Sequence, residues 1–285
     1  MDAIKAISFG QLIQSAYEVP PSNVAPIPAG STISGYSTLD KIIGNDLATD
    51  MNPDRGKTRV SLGLLLQDDS GNTVVAIRGT EGIWEWLHDA MFLPMPCPIK
   101  RGVGFTEDGF STIYKSLALA TKPDGDICSE LASYPFPKAV RSITVCGHSL
   151  GAALATLLAF DLSVNTNFSV QAYTYASPRV GDPLFAAAYN HAVPNTYRFA
   201  NRPDIVPKLP FPPMYEHVNQ LIDLNPVDPE NPTQSLIKFS IPCEHSLTNY
   251  LYLIGKLFGS ATVPTLDPQC APTDGGLPQG IALLR

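Results

Sequence analysis

The chain has 285 residues, is 44% hydrophobic and 16% charged, and carries a formal net charge of −7. Those values suit one large α/β domain with a sizeable core ahead of two small ones. The acidic balance excludes the basic footprint of a nucleic-acid binder, and no run of about 18 apolar residues predicts a transmembrane helix.

In chain order, Ile7, Leu12, Ile13, Ala16 and Tyr17 fit a short amphipathic helix near the N-terminus. The first twenty residues lack a signal-peptide pattern, so the chain as given is expected to be cytoplasmic, with secretion open to it if a leader was removed. Arg59 to Gln67 and Thr73 to Arg78 read as strands joined by the turn Asp68-Asp69-Ser70-Gly71-Asn72. Glu107 to Thr121 is predicted helical. Strand and helix then alternate: strand Arg141–Cys146, helix Leu150–Val164, strand Val170–Tyr175, helix Asp182–His191, strand Thr196–Ala200, strand His217–Leu224 and helix Ser246–Leu257. Such alternation implies a parallel sheet with helices on both faces and a site at the carboxyl ends of its strands. The early hairpin adds an antiparallel part. The 27 prolines cluster in loops, notably Pro203 to Pro213.

Between the Arg141–Cys146 strand and the next helix stands Gly147-His148-Ser149-Leu150-Gly151. G-x-S-x-G at a strand-to-helix turn is the nucleophile elbow of serine hydrolases. The glycines are needed because side chains there would clash with the neighbouring strand and helix. A serine hydroxyl needs a base and an acid that orients the base, which an α/β-hydrolase fold supplies in the order serine, acid, histidine. Asp204, in a proline-bracketed loop after a strand, is the preferred acid; Asp161, in the elbow helix, and Asp182, an expected helix N-cap, are weaker. His245 is the preferred base. His217, in a predicted strand, reads as structural, and His88 and His148 are not read as bases. The Leu150 N–H and Thr80, which follows the strand ending at Arg78, are the expected oxyanion donors. Ile205, Val206, Leu247 and Leu251 flank the triad and either line an acyl pocket or belong to the core.

Arg78-Gly79-Thr80, the elbow, Ser177-Pro178-Arg179-Val180-Gly181-Asp182, Asn201-Arg202-Pro203-Asp204-Ile205-Val206-Pro207 and Tyr215-Glu216-His217-Val218 occur in one order. From about residue 59 to 251 this pattern resembles the class 3, fungal-type triacylglycerol lipases. The resemblance implies a single α/β-hydrolase-like domain over residues 1–285. Its central mixed, mostly parallel sheet would be flanked by helices, with a short lid helix over the site. It also implies the triad Ser149, Asp204 and His245 with oxyanion residues Thr80 and Leu150, and a structural role for His217. One departure is Glu107, where members have histidine; another is a cysteine pattern that does not match the secreted fungal disulfides.

The resemblance places the lid at about residues 81–95, where Ile83, Trp84, Trp86 and Leu87 offer an apolar face and Gly82 a hinge. The expected activity is hydrolysis of acylglycerol esters, with interfacial activation. The alternatives are a feruloyl-type esterase or phospholipase A1 of the same fold, and, further off, an inactive lipid- or partner-binding scaffold. A monomer acting at a lipid–water interface is expected, with no cofactor and no metal. The Asp223, Asp228, Glu230 and Asn231 loop is read as solvated and not as a calcium site. The five cysteines leave at least one thiol free, and Cys97–Cys243 or Cys128–Cys270 are open as bridges.

Overall fold

The computed structural model describes residues 2–26, 32–46, 58–80 and 92–272. Among them the chain forms strands β1 (Thr32–Ile33), β2 (Tyr36–Asn45), β3 (Arg59–Asp68), β4 (Asn72–Ile77), β5 (Pro94–Pro96), β6 (Phe105–Glu107), β7 (Ala118–Leu119), β8 (Ser142–His148), β9 (Val170–Tyr175), β10 (Thr196–Asn201) and β11 (Leu221–Leu224). The helices, numbered in order, are α1 (Ala3–Glu18), α2 (Asp108–Lys115), α3 (Ile127–Ala132), α4 (Leu150–Asn165), α5 (Pro183–Ala192), α6 (Ile241–His245) and α7 (Leu247–Leu257).

The main sheet runs β1-β2-β3-β4-β8-β9-β10-β11, with β7 paired to β2. Pairing is antiparallel from β1 to β4 and parallel from β4 through β8, β9 and β10 to β11. Successive strand residues face opposite sides, so each strand feeds two cores. Leu65, Val75, Ile77, Ile143 and Val145 pack with α2, α3, α4 and α5 on one face. Leu64, Leu66, Val74, Ala76, Tyr173 and Tyr175 pack with α1 and α7 on the other. This is the mixed, mostly parallel α/β-hydrolase-like sheet the sequence implied.

Local chemistry starts the helices. The Asp2 carboxylate accepts the Lys5 N–H at 3.1 Å and caps α1. Asp182 accepts the Phe185 N–H at 2.8 Å and caps α5, with Pro183 in its first turn. Residues Leu150 to Leu162 of α4 are all buried, so this helix is enclosed around its whole circumference and forms the centre of the first core.

Several elements depart from the sequence expectation. β2 was not anticipated, because Asp40 and Lys41 interrupt its apolar run. Both are buried yet satisfied: Lys41 Nζ donates to the Asn23 carbonyl at 2.9 Å and side-chain oxygen at 2.8 Å, and Thr121 donates to Asp40. The helix predicted to Thr121 stops at Lys115, because β7 leaves it to pair with β2. The strand predicted from His217 begins only at Leu221, since Asn219 takes a positive φ of 42° and turns the chain. Neither envisaged cysteine bridge forms. Cys243 pairs with Cys270, while Cys97, Cys128 and Cys146 are free and buried. The short 3-10 segment Pro268–Cys270 folds back on the main chain, with the Lys238 N–H donating to the Cys270 carbonyl at 2.8 Å, and this sets the partner.

Candidate active site

Ser149 stands between β8 and α4 with φ 59° and ψ −127°, a backbone conformation unfavourable for any L-residue. The turn is held by contacts that tolerate no side chain. A Cβ on Gly147 would run into the Gly151 carbonyl oxygen, and one on Gly151 into the carbonyls of Ile77 and Arg78. The Ser149 N–H donates to the Tyr175 carbonyl on β9 at 3.0 Å. The hydroxyl is thereby aimed off the carboxyl end of the parallel sheet.

Two strands away, β10 ends at Asn201 and the Asp204 loop begins. The Asp204 Oδ1 accepts the Val206 N–H at 3.0 Å, which closes the loop on itself. Oδ2 accepts the Tyr250 hydroxyl at 2.8 Å and, also at 2.8 Å, the Nδ1–H of His245. His245 Nε2 lies 2.8 Å from Ser149 Oγ. The three side chains therefore form one line of hydrogen bonds, although His245 is 96 residues from the serine. All three are buried. His245 is the last residue of the short helix α6, just before α7 begins.

His217 lies elsewhere. Its Nε2 donates to the Pro207 carbonyl at 2.6 Å, and burial beside Arg198 pushes its pKa down to about 3, so it is a neutral brace under the acid-bearing loop. Asp161 is remote on α4, where it accepts the Tyr114 hydroxyl and the Asn165 amide. Asp182 serves as the α5 cap.

Thr80 is partly buried and follows Gly79, whose α-carbon faces the serine: a Cβ there would stand 2.9 Å from Ser149 Cβ. Leu150 is the first residue of α4, so its N–H has no carbonyl one turn earlier to bond. Both expected oxyanion positions thus border the serine. Of the flanking apolar residues, Ile205 is 37% exposed and Val206 is buried beside Asp204. Leu247 and Leu251 belong to the α1–α7 core, with Leu251 seated on Gly10 of α1. Of the four, only Ile205 is exposed; Val206, Leu247 and Leu251 are all buried. The lid residues Ile83, Trp84, Trp86 and Leu87, with Gly82, lie outside the described residues.

Glu107, the residue standing where the family has histidine, caps α2 by accepting the Phe110 N–H at 2.8 Å, and burial raises its pKa to about 7. Of the residues expected in an acidic loop, Asp223 lies in strand β11 and pairs with Arg202, while Asp228 and Asn231 in the loop beyond it accept from Glu230 and Thr233 of their own turns.

Sequence reasoning missed the histidine next to the nucleophile. His148 is buried, and its Nε2 lies 2.8 Å from the main-chain carbonyl oxygen of His245. Its Nδ1 lies 2.8 Å from the Tyr17 hydroxyl. Burial, with the neighbouring His245 imidazole, holds its pKa well below the ordinary histidine range. No local pattern could have revealed this, since Tyr17 is 131 residues away.

Residues 74–214 match the family model described as Lipase (class 3), a span that contains Ser149 and Asp204. A secreted mono- and diacylglycerol lipase A of Penicillium cyclopium is 37% identical over 159 residues, covering 55% of this chain and 50% of that protein. A phospholipase A1-II 1 of Oryza sativa subsp. indica is 33% identical over 159 residues, covering 49% of this chain and 39% of that protein. The matched segment therefore spans half or less of these relatives' own lengths. The crystal structure of the Penicillium cyclopium protein MDLA in a mutant form superposes with a TM-score of 0.54 at 25% identity, over 77% of each chain. The Lip2 lipase of Yarrowia lipolytica shares the fold, with a TM-score of 0.58 at 20% identity over 79% of each chain. The ordered motifs, the sheet and the elbow all agree with these matches, and residues 74–214 of this chain match the class 3 lipase family.

Proposed function

We propose that the protein is a carboxylic ester hydrolase acting on acylglycerols, with Ser149 as nucleophile, His245 as general base and Asp204 as the acid that orients it. The observation that carries this reading is the unbroken line Asp204–His245–Ser149, with both contacts at 2.8 Å. His245 takes the Ser149 proton as the serine oxygen attacks the ester carbonyl. Asp204 holds the Nδ1–H tautomer and stabilises the imidazolium. Thr80 and the Leu150 N–H receive the oxyanion, and the alcohol leaves with the proton from His245. Water then releases the fatty acid by the same steps. Burial of the triad supports a site that excludes bulk water and strengthens these charges.

The substrate class rests on the relatives, among which mono- and diacylglycerol lipases are named. Phospholipase A1 is the second reading, favoured by the rice relatives. In our reading residues 1–285 work as one lipase domain, monomeric, with a lid at about 81–95 that presents Trp84 and Trp86 to lipid. Among the described residues no helix is long and apolar enough to cross a membrane. Secretion is the compartment we favour. It is supported by the Cys243–Cys270 disulfide, which needs an oxidising environment, and by relatives named as secreted; no observation supports a cytoplasmic one.

The test is a panel of p-nitrophenyl esters of rising chain length, an acylglycerol emulsion, a phospholipid and a feruloyl ester, each with wild type and Ser149→Ala. Loss of about 10⁴-fold or more in kcat is expected for the variant with its fold intact. Retained turnover would remove Ser149 from the mechanism. A rate that climbs steeply above the solubility limit of a short-chain ester supports the lid; a smooth saturation curve counts against it.

A further inference from the structure

His148 occupies the centre of the site, yet the hydrolysis steps give it no task. A buried imidazole needs partners for both ring nitrogens, and the partners found here are informative. One is the main-chain carbonyl of His245, at 2.8 Å. A carbonyl only accepts, so Nε2 carries the proton, and the neutral ring offers the Nδ1 lone pair to the Tyr17 hydroxyl at 2.8 Å. That hydroxyl in turn accepts the Gly79 N–H at 2.8 Å. The sequence Gly79 N–H to Tyr17, Tyr17 to His148 and His148 to the His245 carbonyl is therefore directional.

The ends of this chain of bonds are the two arms that must meet a substrate over Ser149. Gly79 precedes the expected oxyanion residue Thr80, and His245 is the base. Gly79 also has no room for a side chain, because a Cβ would stand 2.6 Å from the Tyr17 hydroxyl. The Arg78 guanidinium lies 5.9 Å from the centre of the Tyr17 ring, and the His148 and His245 rings are 4.8 Å apart. Tyr17 comes from α1, which lies outside the segment matched by the family model.

We propose that Tyr17 and His148 are positioning residues that tie the oxyanion arm and the base arm to the elbow, fixing their separation across Ser149. Both nitrogens of His148 are engaged in this bracing, so the ring takes no part in proton transfer. The inference rests on the serine hydrolase reading above. Its effect is on transition-state geometry, because the bonds touch the groups that meet the oxyanion and the moving proton and not the acyl chain.

The test compares wild type with Tyr17→Phe, His148→Phe and the double variant on a soluble p-nitrophenyl ester, with folding followed by circular dichroism. Misplacing reacting groups by a fraction of an ångström predicts a fall of about 10- to 100-fold in kcat for each single variant, with KM within about twofold. The affinity for an alkylboronic acid, which forms a tetrahedral adduct on the serine, should fall by the same factor as kcat. The double variant should be no worse than His148→Phe, because both changes break one chain of bonds. Unchanged kcat and boronate affinity in folded Tyr17→Phe overturns the proposal, as do losses that multiply in the double variant. Nitrogen-15 NMR of wild-type His148 tests the bonds apart from turnover. A proton at Nε2 with bare Nδ1 is expected, and a ring protonated at Nδ1 overturns the network whether or not the enzyme hydrolyses esters.

Discussion

The elbow and the segment carrying His245 deliver adjacent groups to one site by opposite means. Around Ser149 the constraints come mainly from neighbouring backbone: the Gly147 and Gly151 contacts, the Tyr175 carbonyl on the next strand and the start of α4. Around His245 the local structure is weak. Helix α6 is five residues long and lacks a side-chain cap. It is fixed from outside by the Cys243–Cys270 disulfide, by Asn201 donating to the Glu244 carbonyl at 2.8 Å, by Asn249 donating to the Cys243 carbonyl at 2.9 Å, and by His148 on the His245 carbonyl. The nucleophile is held by steric exclusion, which a short motif encodes. The base is held by tethers most of which join residues 27 to 97 positions apart in the chain.

This contrast predicts different kinds of damage. Gly151→Ala should have the largest effect, since the added methyl meets two main-chain carbonyls that cannot move independently of the sheet. A loss of about 4 kcal/mol in unfolding free energy is expected, with activity falling alongside the folded fraction. Chemical denaturation measures it, and a variant as stable as wild type would break the account of the elbow.

Removing the disulfide with Cys243→Ser and Cys270→Ser should cost less stability but act more directly on catalysis. Their separation of 27 residues predicts a loss of about 3 kcal/mol, chiefly through a freer unfolded chain. Thermal unfolding gives the stability term. A fall in kcat well below the folding midpoint would show that α6 needs the tether; full kcat at that temperature would show that the remaining hydrogen bonds suffice.

Tyr250→Phe should have the smallest effect on stability. The hydroxyl donates to Asp204 and accepts the Asn201 N–H at 2.9 Å, so its removal takes one of three hydrogen bonds from the buried Asp204 carboxylate and orphans a buried main-chain donor. About 2 kcal/mol of stability should be lost. A kcat reduced roughly tenfold with unchanged KM would place Tyr250 in control of Asp204, as one pKa-unit-sized change in orientation energy implies. Equal stability loss with full kcat would make it a packing residue alone.

Legibility followed the same division. The Asp204 loop was readable because it follows a clear strand and is bracketed by prolines, and His245 because few histidines lie downstream of it. β2 was hidden by Asp40 and Lys41, whose burial is acceptable only with Asn23 and Thr121 folded against them. The His217 strand was over-read because a β-like run does not announce the turn at Asn219.

By itself the sequence determined the α/β alternation, the elbow and the order of serine, acid and histidine. Each of these is set by local periodicity, by residues that must lack a side chain, or by position relative to a strand end. Only the tertiary structure decided which cysteines pair, that Leu247 and Leu251 fill the core, and that Tyr17 reaches His148 beneath the oxyanion loop. Those outcomes depend on which distant surfaces are buried together, and burial is what turns a polar side chain into a hydrogen-bonded partner.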